Sequence, residues 1–315
     1  MWSRRFAVFL LCLGVWCIGQ SRAQLTVTSV GGGFGAGGGG GGYTGQGDIV
    51  SGAIAWSGLR AYSAAKRGTK VANVCNPTDA VSADCVDWNS DATTGDLVAT
   101  TINGANCTSV TCDVRTLYDQ TGNTACNTGV AVPCDYSQQV KAQRPTLVQN
   151  CVTTKWCMSF NGTTAFLQTQ TPLFVNSSLT LSLPVTESMV FFHTNTGRQD
   201  YNQNGGVNFS SAANQVFASF GTFTPLTVGA GFDGAWHVVH FLGSPTVGAN
   251  GDIHVDSTTN SNDLGQISLS AAVYCGRNGA VVTGQIVECG YWGSAVSAAN
   301  MNTMAANAKS YWGWP

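Results

Sequence analysis

The sequence predicts an all-β protein, an antiparallel β-sandwich with one short C-terminal helix. Three observations carry that expectation. Short apolar runs, alternating or continuous, recur between turn residues, as strands require. Only 10% of residues are charged, and Gly, Ser, Thr, Asn, Ala and Val dominate, which suits an extracellular sheet protein and not a helical bundle. The cysteines fall in sequence-local pairs, the mark of a disulfide-stapled chain.

Taken in order, residues 1–23 read as an export signal. Arg4 and Arg5 give a basic start, Phe6–Gly19 is an apolar run of 14 residues, and Ser21-Arg22-Ala23 supplies the small residues of a cleavage site. A membrane-spanning helix needs roughly 20 apolar residues, so Gln24 is the expected mature start and no membrane span is expected. Residues 24–47 form a Gly-rich flexible linker. Ten of the 12 residues from Gly31 to Gly42 are glycine, a composition that cannot offset its ordering entropy by burial. Gly33, Gly35 and Gly38 match a dinucleotide-binding spacing only because the tract is glycine, with no strand before it and no helix after it.

Residues 48–315 form one predicted domain. Ser57–Ala65 is expected as a short helix from Leu59, Tyr62 and Lys66. Ser178–Leu183 alternates cleanly, and Met189–Phe192 is a short apolar run. Trp236–Leu242 is apolar on both faces, as in a central strand. Ile253 and Val255 alternate with His254 and Asp256, which predicts a half-exposed strand; further strands start at Ile267 and cover Gln285–Trp292. Ser297 is placed to cap a last helix with Met301, Met304, Ala305, Ala308 and Tyr311 along one stripe.

Of 12 cysteines, Cys12 and Cys17 lie in the export signal. The remaining ten pair most simply as neighbours: Cys75 with Cys85, Cys107 with Cys112, Cys126 with Cys134, Cys151 with Cys157, and Cys275 with Cys289. Spacing alone does not fix that connectivity. Export implies an oxidising compartment, extracellular or periplasmic, where such cysteines bridge. Zinc is disfavoured, since no C-x-x-C pair occurs and no histidine lies near a cysteine pair at ligand spacing. Without Arg4, Arg5 and Arg22 the chain is mildly acidic, which argues against nucleic acid as a partner. A monomer is expected.

Two stretches carry a family resemblance. Cys107-Thr-Ser-Val-Thr-Cys112, followed by Leu117-Tyr118-Asp119-Gln120-Thr121-Gly122-Asn123, resembles the amino-terminal half of the fungal-type α-L-arabinofuranosidase B catalytic domain. Leu59-Arg60-Ala61-Tyr62-Ser63 and the Cys75–Cys85 segment sit where that family has a similar start and another cysteine loop. Asp233-Gly-Ala-Trp-His-Val-Val239, Ile253-His-Val-Asp256 and Gly284-Gln-Ile-Val-Glu-Cys-Gly-Tyr-Trp292 resemble the wider concanavalin or laminin-G-like jelly roll. The resemblance implies a sandwich gripping arabinose side chains of plant polysaccharides, with a Glu nucleophile and an Asp acid on its concave face. This sequence departs from that pattern. The interval matching the nucleophile, Ala213–Phe223, holds no carboxylate. Arg277 or Asn278 stands where the acid is expected, and the family's adjacent cysteine pair has no counterpart.

Glycoside hydrolysis needs two carboxyl groups about 5–5.5 Å apart for retention or roughly 6.5–9.5 Å for inversion. The chain has two glutamates, Glu187 and Glu288. Glu288 is the catalytic candidate, weighed against an ordinary solvated strand position; Glu187, after Pro184, is expected exposed at a turn. Asp119 is more readily a turn-former than a catalyst. Asp252, His254 and Asp256 share a strand face and could hold a metal or form an acid–base pair, against a plain polar outer face. His237 and His240 face opposite ways and cannot jointly hold one. No cofactor is expected; calcium bound by carbonyls and an Asp suits such a fold, but no EF-hand-like loop occurs. Trp88, Trp156 and Asn278 are the ligand-binding candidates, because an aromatic ring among amides suits a sugar's apolar face and hydroxyl rim. The competing reading folds each Trp onto its own disulfide. The expected partner is a polysaccharide or surface glycan. The function read from the sequence is a secreted glycan-binding sandwich with the family's catalytic carboxylates missing, the alternative being an active arabinofuranosidase.

Overall fold

The computed structural model describes residues 42–76, 84–102, 107–108, 110–123, 134–169, 185–193, 199–204, 207–212, 215–219, 224–227, 234–243, 251–262, 274–278, 280–281 and 283–314. After a single helical turn, α1 (Gln46–Ile49), the chain is a succession of antiparallel strands. The first eight are β1 (Ala53–Gly58), β2 (Lys70–Cys75), β3 (Cys85–Asn89), β4 (Cys112–Leu117), β5 (Tyr136–Ser137), β6 (Thr146–Val152), β7 (Lys155–Asn161) and β8 (Leu167–Thr169). Then come β9 (Val185–His193), β10 (Gln199–Asn204), β11 (Val207–Ala212), β12 (Gln215–Ser219), β13 (Thr224–Thr227) and β14 (Ala235–Gly243). The last are β15 (Gly251–Val255), β16 (Thr258–Asn262), β17 (Tyr274–Cys275), β18 (Arg277–Asn278), β19 (Ala280–Val281) and β20 (Thr283–Trp292), before helix α2 (Ala298–Trp312).

The main sheet runs β16-β15-β14-β9-β20-β7-β6-β4-β5-β8-β17, with β1 on β20 and the β2–β3 hairpin on β4. A four-stranded sheet is built from β10 to β13. The architecture is thus the expected antiparallel β-sandwich with a C-terminal helix. Its larger core gathers Trp88, Tyr136, Phe160, Phe191 and Tyr291 between strands distant in sequence, and a second cluster puts Met301 and Met304 of α2 on Trp56, Tyr62 and Trp292. Ser297 caps α2 by accepting from the Asn300 N–H, and Gly313 ends it at φ 81°, a left-handed geometry that glycine adopts at little cost. The stripe Met301, Met304, Ala305 and Ala308 is buried as expected, but Trp312 completes it and Tyr311 is only half-buried.

Two local expectations are corrected. Ser57–Ala65 is not a helix: β1 runs through its start, and only a 3₁₀ turn forms at Ala64–Lys66. Leu59, Arg60, Ala61 and Tyr62 are all buried, so this run lacks the polar face that a surface helix presents. The β15 strand is not half-exposed either. It lies between β14 and β16, and Ile253, His254 and Val255 are each at most 1% exposed. The expected strands at Ser178–Leu183 and Ile267 lie outside the described residues.

Four neighbour pairs are bridged as expected: Cys75–Cys85, Cys107–Cys112, Cys151–Cys157 and Cys275–Cys289. Cys134 is also disulfide-bonded, while Cys126 lies outside the described residues. No described helix is long and apolar enough to cross a membrane.

Candidate functional site

The two glutamates are both buried. Glu288 follows a register shift in β20 that turns its side chain under α2. Its Oε1 lies 2.6 Å from Arg60 Nε and accepts from Trp312 Nε1 at 2.6 Å. Its Oε2 accepts from Arg60 Nη2 at 3.3 Å and Gln46 Nε2 at 3.5 Å. The Arg60 side chain is 0% and the Glu288 side chain 3% exposed. Neither the groove position nor the solvated position considered from the sequence describes Glu288: it is half of a buried, forked ion pair. For Arg60, burial works against the charge, but the Glu288 carboxylate together with Tyr43 and Tyr311 holds the guanidinium above its ordinary pKa. Glu187 is not at an exposed turn. It lies inside β9, is 1% exposed, and accepts from the Tyr291 hydroxyl at 2.7 Å.

The turn that carries the family resemblance is a latch on β1. Asp119 Oδ1 accepts from the Trp56 and Thr121 N–H groups, and its Oδ2 from the Thr121 hydroxyl. Gln120 donates to the Gly58 and Arg60 carbonyls at 3.0 and 2.8 Å and accepts from the Tyr62 N–H at 2.9 Å. Asn123 donates to the Ile54 carbonyl. Three side chains therefore satisfy the backbone of one buried strand and its exit, which is the structural role expected of Asp119. Burial raises the Asp119 pKa. Its neighbour Asp135, which accepts from the Asp119 N–H at 2.8 Å, is pushed up to about 6 by burial and by the Asp119 charge.

The histidines separate as strand alternation predicts. His237 Nδ1 lies 2.9 Å from Asp256 Oδ2, and His240 faces His254 across the β14–β15 ladder. Burial, then the His254 charge, lowers His240 to about 3. Asp256 sits past the end of β15 at φ 53°, so the Asp252-His254-Asp256 row ends in a turn. No group of three or more His, Cys, Asp or Glu able to hold a metal occurs among the described residues.

The two tryptophans have different fates. Trp88 is 0% exposed and packs edge-on against Trp156 at 5.4 Å; it is a core residue with no face for a ligand. Trp156 lines a cleft of about 150 Å³ together with Leu59, Asp96, Leu97, Thr154, Lys155 and Tyr311. The Asn278 side chain lies outside the described residues.

Four segments converge on this cleft. Leu59 is the first residue after β1, and Asp96 and Leu97 are held by single bridges to Arg60 and Ser90. Thr154 comes from the β6–β7 turn and Lys155 and Trp156 from the start of β7, a hairpin closed by Cys151–Cys157 with Thr153 at φ 54°. Tyr311 comes from the last turn of α2, and the Thr153 hydroxyl donates to the Trp312 carbonyl, fixing turn to helix. Lys155 Nζ lies 2.5 Å from Asp96 Oδ1, and the Tyr311 hydroxyl donates to the same oxygen at 2.6 Å. The buried Arg60 guanidinium lies 4.5 Å from the Tyr311 ring centroid and Lys155 Nζ 3.9 Å from it, cation–π contacts that immobilise the ring. Partial burial pushes Asp96 up, but the Lys155 and Tyr311 bonds outweigh it and hold the carboxyl below its ordinary pKa. Burial, then Asp96, keeps the Tyr311 phenol protonated. The cleft thus has an apolar floor (Leu59, Leu97, Trp156) and a rim holding a carboxylate, an ammonium and a phenol. Sequence reasoning found Trp156 and missed Asp96, Lys155 and Tyr311. A signal was present: Lys155 is a charge beside a Trp, inside a six-residue cysteine separation, in a chain with few charges.

No protein-family model and no curated protein matches the chain. Among solved structures, an arabinofuranosidase complexed with arabinofuranosyl-α-1,2-xylobiose superposes with a TM-score of 0.61 at 11% identity, covering 85% of this chain and 65% of that one. A GH54 α-L-arabinofuranosidase soaked with a cyclic sulfate inhibitor gives the same figures. The chain therefore spans about 65% of the length of the structures it resembles. The distant resemblance to the arabinofuranosidase B domain is supported, and at this identity it is a likeness of fold.

Proposed function

We propose that this chain is a secreted carbohydrate-recognising β-sandwich that binds arabinose-containing or related glycans without hydrolysing them. The observation that carries this reading is the commitment of Glu187 and Glu288 to buried structural bonds. A glycosidase needs two carboxyl groups flanking one bound ring, and among the described residues both glutamates are at most 2% exposed and bonded to neighbouring side chains. The fold likeness supports a glycan as partner, and the disulfides among the described residues support an oxidising compartment. In this reading residues 1–23 are removed, the Gly-rich part of residues 24–47 acts as a tether as far as residue 42, the chain from Tyr43 on (with Gln46 buried against Glu288) forms one monomeric binding domain, and no cofactor takes part. N-terminal sequencing of exported protein should begin at Gln24; retention of Met1 would contradict the export step.

An active α-L-arabinofuranosidase is the second reading. Asp135 favours it, because burial and the Asp119 charge push its carboxyl up to about 6, the direction a general acid needs. One experiment separates the two. The purified chain, Asp135→Asn and Glu288→Gln are incubated with an aryl arabinofuranoside, and the chain is run over arabinan and arabinoxylan columns. Retention without arabinose release supports the binder. Release that is lost in a folded Asp135→Asn or Glu288→Gln variant would establish the enzyme, and silence on both columns and on a glycan array would remove the glycan altogether.

A further inference from the structure

The geometry points to the Asp96–Lys155–Trp156–Tyr311 cleft as a subsite for one neutral sugar ring; this rests on the glycan-binding reading and gives it a location and a ligand class. Size comes first. A cleft of about 150 Å³ is well below the roughly 300–1,000 Å³ of sites for drug-sized ligands, and a cavity of about 150 Å³ accepts a single benzene ring. One monosaccharide unit, or the terminal residue of a side chain, is the matching size.

Charge comes second. The rim carries one carboxylate and one ammonium in contact at 2.5 Å, so their charges cancel at the mouth. A neutral polyol can donate one hydroxyl to Asp96 and accept at its neighbour from Lys155 without leaving either ion unpaired. A uronate or an amino sugar would have to displace one partner of the pair and strand the other, a costly exchange near an apolar floor. Side-chain exposures of 44% for Asp96 and 22% for Lys155 leave this pair open to ligand and only weakly self-satisfied. The ring's apolar face is met by the exposed parts of Leu97 and Trp156, with Leu59 packed behind them.

Rigidity comes third. Arg60, itself locked to Glu288, lies against the Tyr311 ring, and the Tyr311 hydroxyl fixes Asp96. The buried ion pair thus acts as the anchor that orients the rim, a positioning role. Such preorganisation lowers the ordering cost of binding a small ligand.

The test uses the full chain with methyl α-L-arabinofuranoside, methyl β-D-xylopyranoside and methyl β-D-glucuronide, whose carboxylate is free, as probes. Binding is read by saturation-transfer NMR and by perturbation of the Trp156 indole signal, alongside retention on arabinoxylan. Thr154→Trp adds bulk at an exposed position on the cleft mouth, and Lys155→Met removes the ammonium while keeping the stem; near-UV circular dichroism checks that both fold. The neutral glycosides should perturb Trp156, the glucuronide should bind at least tenfold more weakly, and both variants should lose at least tenfold in affinity. Wild-type retention by folded Thr154→Trp and Lys155→Met would overturn the subsite while leaving glycan binding in place. Perturbation of Trp156 by the neutral glycosides without polysaccharide retention would keep the subsite and remove the polymer. Equal binding of the glucuronide would overturn the ligand class.

Discussion

Glu288→Gln is the most informative single change. Gln keeps the shape of the side chain and leaves an oxygen for the Trp312 N–H, but it removes the only negative charge bonded to Arg60 among the described contacts. The guanidinium is then a cation in a fully buried site. Breaking a buried pair by removing one partner costs about 3–5 kcal/mol, against the roughly 5–15 kcal/mol that hold a typical domain together. Urea unfolding followed by tryptophan fluorescence should show the midpoint fall with little change in slope. The double variant Arg60→Met with Glu288→Leu should recover much of that loss. It should stay short of wild type by the Trp312 N–H left without an acceptor, about 1–3 kcal/mol. A Glu288→Gln protein within about 1 kcal/mol of wild type would refute the ion-pair reasoning and return Glu288 to the list of available acids. Because this variant sits near the edge of stability, turnover assays on it are meaningful only at a temperature where it is shown to be folded.

Further outcomes follow from other contacts. His240 has a folded pKa of about 3 against about 6.5 unfolded. The unfolded state therefore binds more protons between those values, and stability is lost as pH falls through that window, by about 1.4 kcal/mol per unit. Asp135, raised to about 6 from about 3.9, acts oppositely between pH 6 and 4. The diagnostic is thus the difference between wild type and His240→Leu in urea midpoints from pH 7 to 4, and a pH-independent difference would contradict the burial of a neutral imidazole. Gln120→Leu leaves the Gly58 and Arg60 carbonyls and the Tyr62 N–H without their partner; a loss of about 3 kcal/mol is expected, and a loss below 1 would contradict the latch. Cys151→Ser with Cys157→Ser should cost about 2 kcal/mol by loop entropy and weaken glycan retention through the Lys155 turn, which retention chromatography reads directly. Gly290→Ala would bring a Cβ to 2.6 Å from Trp56, so its melting temperature should fall; an unchanged value would mean that the Trp56 packing is mobile.

The elements with strong periodic signals were legible. The Trp236–Leu242 run is a central strand, Gln285–Trp292 pairs on both sides, and Ser297 caps the last helix. Leu59–Tyr62 misled because a run buried on every side carries no helical or strand period, and its partners on β20 and the Gln120 turn are more than 50 residues away. Glu288 misled for a related reason. Strand alternation says which side a residue faces, but whether that side meets water or Arg60 depends on a helix that folds back over it. The cleft was half-visible: Trp156 stood out as a loop aromatic, whereas Asp96 and Tyr311 become neighbours only through the Arg60 bridge and the Thr153–Trp312 contact. Long-range pairing, not local chemistry, sets the site.

One measurement bears most directly on binding without hydrolysis: ¹H NMR of arabinoxylan oligosaccharides incubated overnight with excess purified chain. Selective broadening of arabinose or xylose signals, with the anomeric integrals unchanged, is the expected result. Growth of a free-arabinose anomeric signal, abolished in a folded carboxylate variant, would contradict the account.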